Sequence, residues 1–176
     1  MTKTEETRTA VVGILMGSDT DLAVMSEAGK TLDKFGIAYE MEVVSAHRTP
    51  ARAHDYATTA AKRGLKVLIV GAGAAAHLAG VMAANTTLPV IGVPLATSTL
   101  NGLDALLATV QMPGGIPVAT MAIDNAGAVN AAIFTAEILG LSDPEIARRL
   151  VAHKEELVRG VAEKNARLKQ RLAEKK

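Results

Sequence analysis

The chain has 176 residues, no cysteine, 49% hydrophobic but only 2% aromatic residues, and a formal net charge of +1. That length suits one compact domain with a sizeable core. The lack of cysteine excludes disulfides and thiolate chemistry, and the charge balance argues against a dedicated nucleic-acid binder. A mean hydropathy of +0.22 built on Ala, Val, Leu and Ile suits close helix-on-sheet packing and extensive subunit contacts. The polar start MTKTEETRT lacks an apolar signal core, and later apolar runs are broken by Gly, Pro or charge short of a spanning length, so no membrane association and a cytoplasmic location are expected. Residues 142–176 carry ten Lys/Arg and six Asp/Glu, or +4, leaving −3 on the first 141. Those basic residues are interspersed with acids, as on a solvated helix face, rather than clustered as a nucleic-acid arm.

In chain order, residues 1–9 are expected to be a disordered tail. Ala10–Met16 reads as a buried strand, and Asp19 or Thr20 is placed to cap a helix running to Phe35, with Leu22, Met25, Ala28, Leu32 and Phe35 at helical spacing. Ile37–Val44 is the next strand, and Pro50 opens a helix that Gly64 ends. Leu65–Val70 reads as a strand leading into a Gly/Ala-rich loop, followed by a helix over His77–Asn85 and a strand over Pro89–Pro94. A helix near Leu103–Val110, the strand Ile116–Ile123 and a helix over Asn125–Leu139 complete a domain spanning 10–141. Five strands separated by helices predict an α/β fold, a parallel sheet covered on both faces.

Asp143-Pro144 opens a charged helical extension, 142–176, reaching Ala173. Its larger apolar residues Ile146, Leu150, Leu157, Val161, Leu168 and Leu172 alternate spacings of four and seven. The resulting eleven-residue repeat holds a narrow stripe on one side of a nearly straight helix and predicts docking onto the body or a neighbouring subunit.

Three segments carry chemistry. In VVSAHRTP, Val43–Pro50, a hydroxyl (Ser45), an imidazole (His47) and a fixed cation (Arg48) gather within four residues. This arrangement suits a phosphate clamp beside a proton carrier; a helix opening beside a surface His-Arg pair fits the same letters. MGSDTD, Met16–Asp21, places Ser18 and helix-start N–H groups where phosphate oxygens can bind, and Asp21 where it can accept from sugar hydroxyls, while helix capping accounts for the same acids. GAGAAAHLAG, Gly71–Gly80, allows close approach of a ligand to the backbone, with His77 either in the pocket or satisfied within the loop. A dinucleotide fingerprint fails here for want of the later ribose-binding acid, a Walker loop lacks its Gly-Lys-Ser/Thr, and the four histidines show no metal-ligand spacing. No cofactor and no metal are expected. Thr99–Val118 reads equally as a lid or as a connector.

Taken together, MGSDTD, VVSAHRTP, GAGAAAHLAG, GVPLATSTLNGLDALLATVQMPGGIPVAT and NAGAVNAA resemble, in continuous order over roughly residues 11–150, the class I N5-carboxyaminoimidazole ribonucleotide mutases of purine (IMP) biosynthesis. The resemblance implies a flavodoxin-like three-layer αβα sandwich, usually a homo-octamer with shared active sites. It also implies cofactor-independent conversion of N5-carboxyaminoimidazole ribonucleotide to 4-carboxy-5-aminoimidazole ribonucleotide by decarboxylation and recarboxylation. It assigns Ser18, Ser45 and Arg48 to phosphate, Asp21 to ribose, and His47 to proton transfer. Ala72, Gly73, His77 and Leu78 then surround the base and the moving carboxyl group. Thr20, Ala74 and Ala79 depart from the usual Ser, Gly and Pro. The class II enzymes, carboxylases using free carbon dioxide, are similar in the first two motifs but lack the AAHLAG and QMPGGIPV patterns. A sugar-phosphate isomerase and a nonenzymatic nucleotide-binding module are the readings outside the family.

Overall fold

The computed structural model describes residues 9–174; the tail expected over residues 1–9 falls, but for Thr9, outside the described residues. Five strands, β1 (Val12–Met16), β2 (Tyr39–Val43), β3 (Val67–Gly73), β4 (Val90–Leu95) and β5 (Ala119–Thr120), form one parallel sheet in the order β2-β1-β3-β4-β5. The helices are α1 (Leu22–Phe35), α2 (Pro50–Ala60), α3 (Leu78–Asn85), α4 (Leu103–Val110), α5 (Asp124–Gly140) and α6 (Pro144–Ala173). This is the predicted α/β sandwich with its long C-terminal helix. The order 2-1-3-4-5 is that of flavodoxin-like sheets, whose ligand crevice opens at the carboxyl ends of β1 and β3, where the chain direction across the sheet reverses.

Strands β1 and β4 are buried throughout and β3 up to its last residue, as helix-covered parallel strands are. Edge strand β2 is only partly buried, and its two carboxylates are answered from the α2 side. Glu42 pairs with Arg52 at 2.7 Å, and Glu40 accepts from Arg63 and from the Tyr56 hydroxyl at 2.6 Å. Burial pushes the Glu40 carboxyl up, but those two bonds and the nearby Arg63 and Arg52 charges outweigh it, leaving the group below the ordinary glutamate range. Tyr56, with Ala53, Ala57 and Ala60 of α2, packs in one cluster with Leu78, Ala79 and Met82 of α3.

Helix α1 buries Met25, Ala28, Leu32 and Phe35 as its spacing predicts, whereas Leu22, in the first turn, is 49% exposed. It ends at Gly36, whose φ of 67° lets its N–H and that of Ile37 turn back to the carbonyls of Asp33 and Leu32.

Two strands differ from their sequence patterns. Strand β3 runs to Gly73 and absorbs the first residues of the Gly/Ala segment, because side-chain-free Gly71 leaves room for the Met25 thioether against the strand. Strand β5 shrinks to two paired residues of the eight in Ile116–Ile123; Pro117 has no N–H to give a ladder, and the strand lies at the sheet edge.

The chain divides into two compact units inside α5, between Thr135 and Ala136. In the second unit α6 begins at Asp143, whose Oδ1 accepts the N–H groups of Glu145 (2.9 Å) and Ile146 (3.2 Å), with Pro144 in the first turn. Glu145 pairs with Arg148 and Arg149 along its surface. None of its residues is buried, and of the predicted stripe Leu157, Val161, Leu168 and Leu172 are more than half exposed.

Candidate active site

The loops that follow β1, β2 and β3 meet in a cleft of about 290 Å³. All nine residues singled out from the sequence line it: Ser18, Asp21, Ser45, His47, Arg48, Ala72, Gly73, His77 and Leu78. Two more lining residues, Thr20 and Thr97, complete its polar wall.

The first loop is held by its own polar groups. Ser18, rather than Asp19 or Thr20, caps a single 3-10 turn over Asp19–Asp21. Its Oγ accepts the Thr20 N–H at 3.3 Å and the Thr20 hydroxyl at 2.9 Å, while Asp21 Oδ2 accepts the Ser18 N–H at 3.1 Å. Asp21 is 6% exposed. Burial pushes its carboxyl up, opposed by the backbone N–H groups of Ser18 and Gly17, while the charge of Asp19 adds to the rise. Asp21 thus fixes the Gly17–Ser18 turn and also lines the cleft. The methyl added by Thr20 leaves the hydroxyl contact intact.

The second loop is closed by Thr49, whose hydroxyl donates to the Ser45 carbonyl (2.9 Å) and accepts the Ser45 N–H (3.1 Å). Ser45 Oγ accepts the Arg48 N–H at 3.2 Å. Among the described residues no carboxylate pairs with Arg48, which leaves its guanidinium open to an anionic ligand. Thr49 escaped the sequence reading because Thr before Pro reads as an ordinary helix start.

His47 and His77, thirty residues apart, meet with Nε2 and Nδ1 separated by 2.8 Å and their rings nearly perpendicular at 79°. One ring nitrogen donates and the other accepts, so the contact fixes the two tautomers relative to each other. Neither motif alone shows this pairing. His54, in contrast, bonds to Asn85 Oδ1 at 2.8 Å away from the cleft. No group of three or more His, Cys, Asp or Glu residues is arranged to hold a metal ion among the described residues.

The third loop turns sharply. Ala74 has φ 51°, in the left-handed region that Gly occupies freely, and the N–H groups of Ala76 and His77 bond two residues back to Ala74 and Ala75. Ala79 sits buried within the first turn of α3, which forms without a proline there. Gly73 faces Thr97 so closely that a Cβ would overlap the Thr97 hydroxyl and stand 3.1 Å from the Leu95 carbonyl. Thr97, in the loop after β4, is the residue the sequence did not mark, since nothing local distinguishes it from Ser98 or Thr99.

The crevice at the carboxyl ends of the strands thus brings together hydroxyls, an arginine with no carboxylate partner among the described residues, a pair of hydrogen-bonded imidazoles and a wall of small residues. The family model described as AIR carboxylase matches residues 11–159, and the chain belongs to that family. It is 59% identical to the N5-carboxyaminoimidazole ribonucleotide mutase of Thermotoga maritima over 90% of this chain and 92% of that protein. It is 52% identical to the enzyme of the same name from Bacillus subtilis, covering 90% of this chain and 98% of the relative. In structure it resembles PurE of Treponema denticola, with a TM-score of 0.81 and 29% identity over 90% of this chain and 98% of the other.

Proposed function

We propose that this chain is an N5-carboxyaminoimidazole ribonucleotide mutase, moving a carboxyl group from the exocyclic N5 to ring C4. The observation that carries the reading is the convergence of three separate loops, each bearing one of the family-like motifs, on a single cleft. High identity over nearly the full length of curated mutases supports it.

In this reading Ser18, Ser45 and the Arg48 guanidinium hold the phosphate. Asp21 accepts from the ribose hydroxyls, and Ala72, Gly73, His77 and Leu78 wall the base. His47 gives a proton to N5 as the N5–carboxyl bond breaks, leaving the free amine, and carbon dioxide stays in the small-residue pocket. The C4=C5 enamine then attacks the carbon dioxide through C4, and His47, now the base, takes the hydrogen that C4 has carried throughout as aromaticity returns. One imidazole acts first as acid and then as base, with His77 setting its tautomer. The ring nitrogens supply the electrons, so orientation and exclusion of water remain as the protein's tasks.

The proposal extends to a catalytic domain over 10–141, a helical extension over 142–176 used in assembly, a homo-octamer with shared sites, and a cytoplasmic location. Exposed Leu100, Leu103, Leu107 and Val110 in and before α4, and the apolar stripe of α6, are surfaces suited to subunit contacts. No helix among the described residues is long and apolar enough to cross a membrane.

Purified protein given the N5-carboxylated ribonucleotide, and separately the uncarboxylated ribonucleotide with bicarbonate, tests the activity. Preference for the first supports the mutase; preference for the second makes the chain a carboxylase using free carbon dioxide; binding without turnover of either makes it a nonenzymatic module.

A further inference from the structure

A second hollow, also about 290 Å³, shares Thr20, Asp21 and Thr97 with the cleft and is lined in addition by Leu95, Ala96, Asp124 and Asn125. Asp124 opens α5 with φ 57°, a backbone conformation that L side chains seldom adopt and that Asp and Asn tolerate best. Its Oδ1 accepts the Ala96 N–H at 2.8 Å across 28 residues of sequence. The position of that amide explains the contact. The β4–β5 ladder pairs only Ile91 with Ala119 and Gly92 with Thr120, so beyond Leu95 no strand partner accepts from the loop, and the Asp124 carboxylate takes the acceptor's place. One residue on, the Thr97 N–H folds back to the Leu95 carbonyl at 3.0 Å, and the Thr97 side chain fills the space over Gly73.

We propose that Asp124 is a positioning residue for the carboxyl transfer: by pinning the Ala96 amide it holds Thr97 against Gly73 and keeps the second hollow from opening into the carbon dioxide pocket. The consequence for turnover rests on the mutase reading; the pin itself does not. Release of the pin frees the 96–98 loop, and carbon dioxide formed by decarboxylation escapes before C4 recaptures it. The uncarboxylated ribonucleotide then leaves as a product.

Asp124→Gly removes the carboxylate and places at φ 57° the one residue without a Cβ, so folding is not threatened. Asp124→Asn keeps an oxygen acceptor in a side chain that tolerates the same angle. Hydrogen exchange of the full chain without ligand, read by mass spectrometry on the segment spanning Leu95–Ser98, reports on the pin. Uncarboxylated ribonucleotide released per 4-carboxylated product reports on its use. In Asp124→Gly both rise about tenfold, the scale of one hydrogen bond, while KM stays within about twofold and Asp124→Asn stays within about threefold of wild type on both. Unchanged exchange in Asp124→Gly overturns the pin, and faster exchange with unchanged partition overturns its role in retaining carbon dioxide. Asn behaving like Gly overturns both. A wild-type protein that converts neither ribonucleotide refutes the mutase reading instead, and the exchange measurement still decides the pin.

Discussion

Replacing Gly73 by Ala probes the cleft wall directly. The new methyl coincides with the Thr97 hydroxyl, lies 2.9 Å from Thr97 Cβ and 3.1 Å from the Leu95 carbonyl oxygen. Leu95 is buried and its carbonyl belongs to β4, so that oxygen has little freedom, and the 96–98 loop must move instead. Overpacking of this kind costs about 2 kcal/mol, which for a chain of this length lowers Tm by about 4–8 °C. Because Thr97 lines the cleft, displacing it by about 1 Å is expected to cost on the order of 100-fold in kcat/KM. Thr97→Ala removes the overlapping oxygen and leaves the tight Cβ contact, so the double variant recovers part of both losses, with a coupling of about 1 kcal/mol. Differential scanning calorimetry and steady-state kinetics on wild type, the two single variants and the double variant measure this. A Gly73→Ala protein as stable and active as wild type, or a double variant no better than Gly73→Ala, refutes the packing argument.

Ala74→Gly relieves a left-handed backbone angle that costs a non-glycine residue about 1–2 kcal/mol, partly offset by the greater freedom of Gly in the unfolded chain. Tm therefore rises by about 2–3 °C, and a fall would show that the turn carries no strain. Glu40 supplies the pH dependence. Its carboxyl is held below the ordinary range in the folded protein, so its stabilisation is complete above the unfolded glutamate pKa and is lost as pH falls through the lower folded value. Denaturant midpoints should show Glu40→Gln about 0.5–1 kcal/mol less stable than wild type at pH 7, the group being nearly one-third exposed, with the difference shrinking as pH falls from 7 through and below the ordinary glutamate range. A constant difference across that range contradicts the electrostatic origin.

Much of this architecture was legible in the sequence for a common reason: periodicity and turn chemistry are local. Buried β1 and β4, the α1 stripe from Met25 to Phe35, and the Asp143-Pro144 start of α6 all follow from residues within one or two turns of one another. The short loops after β1 and β2 brought Ser18, Asp21, Ser45, His47 and Arg48 to one sheet edge by topology alone. What escaped depends on partners far apart in the chain. Gly71 joins β3 because Met25 packs against it, Thr97 matters because Gly73 faces it, and Asp124 finds Ala96 across 28 residues. The extent of β5 is not legible in the sequence because an apolar run carries no record of how many of its residues find a ladder partner. The His47–His77 bond lay between two motifs that were each visible, but their contact is a property of the fold.

The proposed mechanism stands or falls on proton transfer by His47, and a His47→Asn variant isolates that role. Asn keeps the loop and leaves Ser18, Ser45 and Arg48 in place but cannot cycle a proton at neutral pH. The expected variant is folded, binds the uncarboxylated ribonucleotide within about threefold of wild type and shows no measurable conversion of the N5-carboxylated substrate, a loss of at least the 10²–10⁴-fold scale of general acid–base catalysis. Conversion by folded His47→Asn at a rate near wild type would contradict it.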